Sequence, residues 1–328
     1  MTANRDQSRE ILAIDIGGSR VKSALIGSQD NRWQLLHRFA PVAVADRSFS
    51  ELQRIVIEIV ATALAQSTLD GGIGVSTTGP ADAAGIVLGS GFFEGYAGVS
   101  WHRILRERFG NRVPAVRVAS DGRAAAWGTY LEDPQAKGRD VAHFVAGTGI
   151  GGGMVLGSQL FDGSHNFAGA FGHIKVTAAM TPACSCGGHG CVEVFAAGPA
   201  ILRHAAAELG REPGALTIAD LAEAARAGSQ AAQGAFRDAG HWLGRAIGGL
   251  VNVVDPDVVT IGGGIVAAAD ELADGSGANW YVDAAAASAR EAALPRIAER
   301  VRIHRAALVN DAALIGIAAL VHEGPAHA

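Results

Sequence analysis

The chain has 328 residues, 49% of them hydrophobic and 18% charged, with a formal net charge of −5. That length exceeds one ordinary core and suits two domains, and the composition excludes a disordered chain. The mild acidity, without a basic block, excludes a charged patch for nucleic acid or for a membrane surface.

The polar start, Met1 to Glu10, lacks the apolar stretch of a signal peptide. No apolar run of about 18 residues escapes interruption by Gly, Asp or Arg, so no membrane span is expected. Ile11 to Ile16 is an apolar strand that ends in Gly17-Gly18-Ser19, and Val21 to Ile26 returns beside it as a hairpin partner. A third strand is expected over Trp33 to Val44. Glu51 to Gln66 carries Leu52, Ile55, Val56, Ile59, Val60 and Ala63 at helical spacing, and Gly72 to Thr77 is a strand again. Val116 to Ser120 is a strand that runs into a small-residue helix at Asp121.

The pattern then restarts. Asp140 to Ala146 is a strand, Gly147 to Gly153 a glycine-rich turn, and Met154 to Leu160 a second strand. Helices are expected over Glu193 to Leu209, Ile218 to Ala227 and Gln230 to Val253. Val258 to Ile261 is a strand closed by Gly262-Gly263-Gly264. Val301 to Arg305 is the last strand, and Asp311 to His322 the last helix. Two β-rich units, each opening with a glycine turn between hairpin strands, predict a duplicated α/β architecture with a hinge near Asp121.

The glycine turns suit phosphate. Asp15 at a strand end is followed by Gly17, Gly18, Ser19 and Lys22, and glycines let backbone N–H groups converge on an anion. Asp15 is suited to hold Mg²⁺ through water. Gly147, Thr148 and Gly149 offer the same chemistry, and Gly262, Gly263 and Gly264 leave backbone open to a base or ribose. One such cluster alone reads as a tight turn; three at strand ends point to a nucleotide. None fits the P-loop pattern, and Gly149 to Gly153 lies between strands rather than opening a helix, which argues against a dinucleotide.

Cys184, Cys186 and Cys191 are the cysteines of the chain, within eight residues, and His173 precedes them. Three Cys and one His form a closed tetrahedral zinc set, which is structural rather than catalytic. Free thiols in a loop are the plainer alternative. His189 is a competing ligand, expected to face solvent. Asp121 has two readings as well. It accepts the proton of a substrate hydroxyl during phosphoryl transfer, or it caps its helix.

Together, Asp15-x-Gly-Gly-Ser, Ser120-Asp121, Gly147-Thr-Gly-Ile-Gly-Gly-Gly, Gly172-His173, Cys184-x-Cys-Gly-x-x-Gly-Cys-x-Glu193 and Asn252-Val-Val-Asp-Pro leading to Gly262-Gly-Gly-Ile resemble the ROK family of repressors, open reading frames and kinases. The matches run in family order from Asp15 to about Gly316. The resemblance implies an actin-like, RNase H-like fold of two α/β domains around a cleft. The N-terminal domain would cover 1–120 plus about 306–328, and the second 121–305. It implies transfer of the ATP γ-phosphoryl group to a hexose or modified hexose at the 6-hydroxyl, with Mg²⁺ and a structural Zn²⁺. Some relatives use polyphosphate as donor. Asp121 matches the family's base; His173 and Glu193 match sugar contacts, and His173 also matches a zinc ligand. A cytoplasmic homodimer or homotetramer is implied. The phosphate turn begins too early for an N-terminal winged-helix domain, which disfavours a DNA-binding repressor.

Three positions depart from the pattern. Ala170 stands where the family has Glu, Ser120 where it has Asn, and Gly91 to Tyr96 replaces a Pro-Asn-Leu-like loop. Losing a paired acceptor costs about 1–3 kcal/mol of hydroxyl recognition. The expected consequence is a different acceptor, such as an amino sugar, with Glu94 as a substitute carboxylate and aromatic rings added. The alternative is a sugar-binding regulator with weak or no kinase activity.

Overall fold

A computed structural model describes residues 9–29, 32–89, 92–113, 115–180, 182–212, 214–272 and 277–324. Gly91 of the acceptor loop lies outside the described residues. The chain forms two compact units. The first comprises Met1–Glu132, Leu160–Ala168 and Asp311–Ala328, and the second Asp133–Gln159 and Gly169–Asn310.

The first unit begins with β1 (Ile11–Ile16) and β2 (Arg20–Gln29), an antiparallel hairpin in which Asp15 faces Lys22 in register. β3 (Arg32–Arg38) and β4 (Val42–Ala43) both pair with β2. They replace the single strand expected over Trp33 to Val44. Pro41 lies between them and has no N–H to offer a ladder. α1 (Phe49–Gln66) starts at a capping box in which Ser48 and Glu51 satisfy each other's backbone N–H, and its expected apolar stripe is buried. β5 (Gly72–Thr77) runs parallel to β1, and β6 (Val116–Ser120) parallel to β5. α2 (Trp101–Phe109), not foreseen from periodicity, lies between them and is capped by Ser100.

α3 (Asp121–Glu132) follows β6 directly. The compact unit therefore ends one helix later than the hinge expected near Asp121. The reason is packing. Cβ atoms on Gly128 or Gly316 would run into the backbone of Ala312 or Ala124, so two helices meet through small residues at backbone contact. The partner helix is α11, described below. An ion pair between Arg123 and Asp162 ties the 160–168 segment to α3.

In the second unit, β7 (Val141–Ala146) and β8 (Ile150–Leu156) form an antiparallel hairpin, and β9 (Gln159–Leu160) sits at the sheet edge. β8 starts earlier than expected. Gly151, Gly152 and Gly153 are strand residues, and the turn is only 147–149. A Cβ on Gly152 would collide with the His143 carbonyl and the Phe171 ring, so that glycine serves packing.

The helix expected over Glu193 to Leu209 is broken into α4 (Glu193–Ala196) and α5 (Gly198–Glu208). Pro199 opens α5, and the Gly198 N–H bonds the Gly147 carbonyl instead of a helix partner. α6 (Ile218–Arg226) and the long α7 (Gln230–Val254) follow. β10 (Val258–Gly262) is parallel to β7 and leads into α8 (Gly264–Ala268). α9 (Trp280–Ala292), also unforeseen, packs on α7. Gly240, Gly244 and Gly248 of α7 form a ridge at i, i+4 spacing on which the backbone and small side chains of 281–292 rest. After α10 (Pro295–Ala298), β11 (Arg302–Arg305) completes the sheet parallel to β10. α11 (Ala312–Glu323) packs on α3 and β5 in the first unit. Among the described residues no helix is long and apolar enough to cross a membrane.

Candidate functional site

In the first unit, parallel pairing brings three strand ends together. Asp15 lies beside Ser76, and Thr77 beside Ser120. Asp15 is 8% exposed; its Oδ1 accepts a hydrogen bond from Ser76 Oγ at 2.7 Å, and Lys22 Nζ stands 3.8 Å from Oδ2. Burial raises its pKa, with the Lys22 charge and the Ser76 hydroxyl opposing.

Asp121 is the first residue of α3, and its Oδ1 accepts the N–H of Gly122 at 2.7 Å. Its pKa is pushed up to about 7, first by burial and then by the nearby negative charge of Asp15. The two carboxyls therefore form one electrostatic site, with a single ammonium, Lys22, acting on both. Such a site fits a divalent cation, because the one ammonium of Lys22 offsets only part of the mutual repulsion.

The glycine turn of this unit is closed by Gly17 N–H to the Arg20 carbonyl, 3.0 Å. Gly18 lies under the Phe92 ring, 2.7 Å from where a Cβ would be. Of the aromatic loop residues, only Phe92 is exposed. Phe93 and Tyr96 belong to the core, which corrects the expectation that the loop adds two aromatic rings to an acceptor site. The Tyr96 hydroxyl is taken up by Trp101 Nε1 at 2.8 Å and Thr77 Oγ1 at 2.6 Å, so it anchors the loop to the end of β5. Glu94 is exposed on that loop.

In the second unit the turn Gly147-Thr148-Gly149 is closed by Gly147 N–H to the Gly149 carbonyl, 2.9 Å. A Cβ on Gly147 or Gly264 would meet no protein atom within 4 Å. Packing does not demand glycine at either position, and open space remains for another molecule. Gly263 differs. Its φ is +100°, and a Cβ there would strike the Ala146 carbonyl. Gly262 lies against the His143 ring.

His173 ends a short 3₁₀ turn, Phe171–His173, and the Cys184–Cys191 loop folds beside it. The donor atoms of His173, Cys184, Cys186 and Cys191 all lie within 4.8 Å of one another. Cys184 Sγ is 3.6 Å from His173 Nδ1, and Cys186 Sγ is 3.7 Å from Cys191 Sγ. Tetrahedral ligands about 2.3 Å from an ion stand about 3.8 Å apart, so donor set and spacing both fit zinc, whereas a disulfide is far too short a bond for this separation. His189 is outside the set. Contrary to expectation it is half-buried, with Nδ1 lacking a partner among the described residues.

Glu193, two residues past Cys191, accepts the Ile150 N–H at 2.9 Å through Oε2. This bond joins the cysteine loop to the foot of the second hairpin. Ala170 is exposed and leaves no acceptor there. Sequence reasoning missed Ser76 and the Ile150 N–H. Ser76 was detectable as a hydroxyl interrupting an apolar strand; a backbone donor leaves no mark in sequence.

The fold and motifs have close counterparts. An N-acetylmannosamine kinase from Vibrio vulnificus is 32% identical, across 80% of this chain and 86% of that protein. A glucokinase from Streptomyces coelicolor is 30% identical, across 80% and 84%. The crystal structure of a ROK family glucokinase from Streptomyces griseus, in complex with glucose and AMPPNP, superposes with a TM-score of 0.80 at 26% identity, covering 96% of this chain and all of that one. Such sugar kinases have the actin-like ATPase fold expected from the motifs. The model of the ROK family matches residues 11–324, from the first residue of β1 to the end of α11, so the chain belongs to the ROK family.

Proposed function

We propose that this protein is an ATP-dependent sugar kinase that transfers the γ-phosphoryl group to the 6-hydroxyl of a hexose or modified hexose. The observation that carries the reading is the electrostatic coupling of Asp15, near the end of β1, with Asp121, just past the end of β6 two strands away in the same sheet, where burial and the Asp15 charge push the Asp121 pKa up to about 7. A carboxylate whose pKa lies near working pH is matched to accept a hydroxyl proton as the oxygen attacks phosphorus. The new O–P bond forms as the bond to ADP breaks, and the proton passes to Asp121.

Asp15 would hold Mg²⁺, which when bound offsets the charge of the transferred group. Gly17, Gly18 and Ser19 with Lys22, and Gly147, Thr148 and Gly149, would present N–H groups and charge to phosphate. Gly262, Gly263 and Gly264 would flank the nucleoside. Ser120, Glu94, His173 and Glu193 would orient the sugar. His173, Cys184, Cys186 and Cys191 would hold a structural Zn²⁺ that fixes the loop carrying His173 and Glu193. A cytoplasmic homodimer or homotetramer completes the reading.

Ala170 supports a modified acceptor, since the carboxylate that would pair with sugar hydroxyls is gone. The N-acyl hexosamine and hexose named for the relatives bracket the panel to test. ADP release coupled to NADH oxidation, measured across hexoses and N-acyl hexosamines, should reveal at least one acceptor. Asp121→Asn should lower kcat on it by about 10²–10⁴-fold. No turnover with any sugar, alongside sugar binding by calorimetry, would replace the kinase with a sugar-binding regulator.

A further inference from the structure

Lys175 lies two residues after His173 and has no part in the site as described so far. Its Nζ donates to Cys191 Sγ at 2.8 Å. A Cβ on Gly188 would stand 2.6 Å from that Nζ and 3.5 Å from Cys186 Sγ. Gly188 is not in the left-handed region, so an L side chain suits its backbone; a methyl there would push aside the flexible end of Lys175, and with it the ammonium on Cys191.

The sulfurs are served by different donors. Cys184 accepts the backbone N–H of Cys186, and Cys186 accepts the backbone N–H of Gly188. Cys191 is fully buried, and a side chain supplies its donor. Lys175 does for Cys191 what the loop backbone does for the other two. Gly188 serves twice, giving its N–H to Cys186 and leaving room for the lysine.

Charge counting points the same way. A divalent ion bound by three thiolates and a neutral imidazole leaves one surplus negative charge. An ammonium on a thiolate cancels it, and N–H···S bonds of this kind orient the ligand and hold it on the metal. We infer that Lys175 is a positioning residue of the metal centre, neutralising the cluster and holding Cys191 Sγ in place so that metal leaves slowly. The inference rests on the zinc reading above.

The test uses full-length protein loaded with zinc under reducing conditions, with release followed by the absorbance of a zinc–pyridylazoresorcinol complex. At equal zinc content and equal circular dichroism, Lys175→Met should release zinc about tenfold faster than wild type, while Lys175→Arg stays within about twofold. Gly188→Ala, which displaces the ammonium without removing it, should fall between. Molar salt should narrow the gap between wild type and Lys175→Met, because it screens an exposed charge and leaves a purely steric role unmoved. Equal release rates for wild type and Lys175→Met, with wild type holding about one zinc per chain, would overturn the role of Lys175. Wild type that takes up no zinc would overturn the zinc site itself, and the inference with it.

Discussion

The two sheets have the same strand order. β3-β2-β1-β5-β6 in the first unit corresponds to β9-β8-β7-β10-β11 in the second, each an antiparallel hairpin extended by parallel strands. The chemistry at the hairpin ends differs. Two residues before its turn glycine, β1 has Asp15 facing Lys22, whereas β7 has Val145 facing Gly151. The first hairpin concentrates charge beside Asp121. The second is uncharged, with Gly147 bordering open space and Glu193 bonded at its foot. A shared backbone plan thus supplies two turns able to meet an anion, and side chains at one register position separate the charged turn from the neutral one.

Exchanging the weight of those positions breaks the comparison most sharply. Asp15→Ala should lower kcat by about 10²-fold or more, because the carboxylate that would hold Mg²⁺ against the transferring phosphate is gone, while Val145→Ala stays within about tenfold. The same ADP-release assay reads both, and equal losses would show that the two hairpins share the chemistry evenly.

The helix layers come next in size. Gly316→Ala in the first unit and Gly244→Ala in the second each place a methyl against backbone, and each should cost about 1–3 kcal/mol in urea unfolding. Gly249→Ala, on the same long helix but facing open space, should be neutral or stabilising.

A third effect is electrostatic. The folded pKa of Asp121, about 7, is raised from 3.8, so its protonated form favours the folded state. That stability is full below the unfolded pKa and is lost as pH rises through about 7. Between pH 5 and 8, wild type should lose urea stability that Asp121→Asn keeps. Asp15→Asn should move the Asp121 titration, followed by carboxyl NMR, to lower pH, because a repelling charge is gone. A titration unchanged by Asp15→Asn would separate the two carboxyls.

The smallest effect distinguishes the glycines of the turns. Gly18→Ala should disturb the first turn only because Phe92 is in the way, and Phe92→Ala should restore it. Gly147→Ala should leave stability unchanged and, if the turn meets phosphate as proposed, raise the KM for ATP by several-fold, since its methyl would enter open space beside that turn.

Much of this was legible in the chain itself. Period-two and period-3.6 patterns placed β1, β2, β5, α1 and α7, because each buries one stripe or an entire run in its own unit's core. Where local pattern and long-range contact disagreed, contact won. Gly151 to Gly153 looks like turn and is strand, because all three residues pair with β7, and at Gly152 the His143 carbonyl and the Phe171 ring leave no room for a side chain. Glu193 to Leu209 looks like one helix and is two, because the Gly198 N–H has a partner in the second turn. Phe93 and Tyr96 look like ligand aromatics and are core, because Trp101 and Thr77 satisfy the Tyr96 hydroxyl from inside.

By itself the sequence determined the family, the fold, the zinc-type donor set and the identity of Asp15 and Asp121, since residue type and local spacing are enough for each. Tertiary structure alone decided that Ser76 and Lys22 flank Asp15, that Asp15 raises Asp121, that Glu193 reaches Ile150 and that Lys175 meets Cys191. Those relations depend on parallel strand register and loop closure, which bring together groups up to 106 residues apart, as with Asp15 and Asp121 (121 − 15). No local pattern in a chain encodes such a distance; only the packing of the cores sets it.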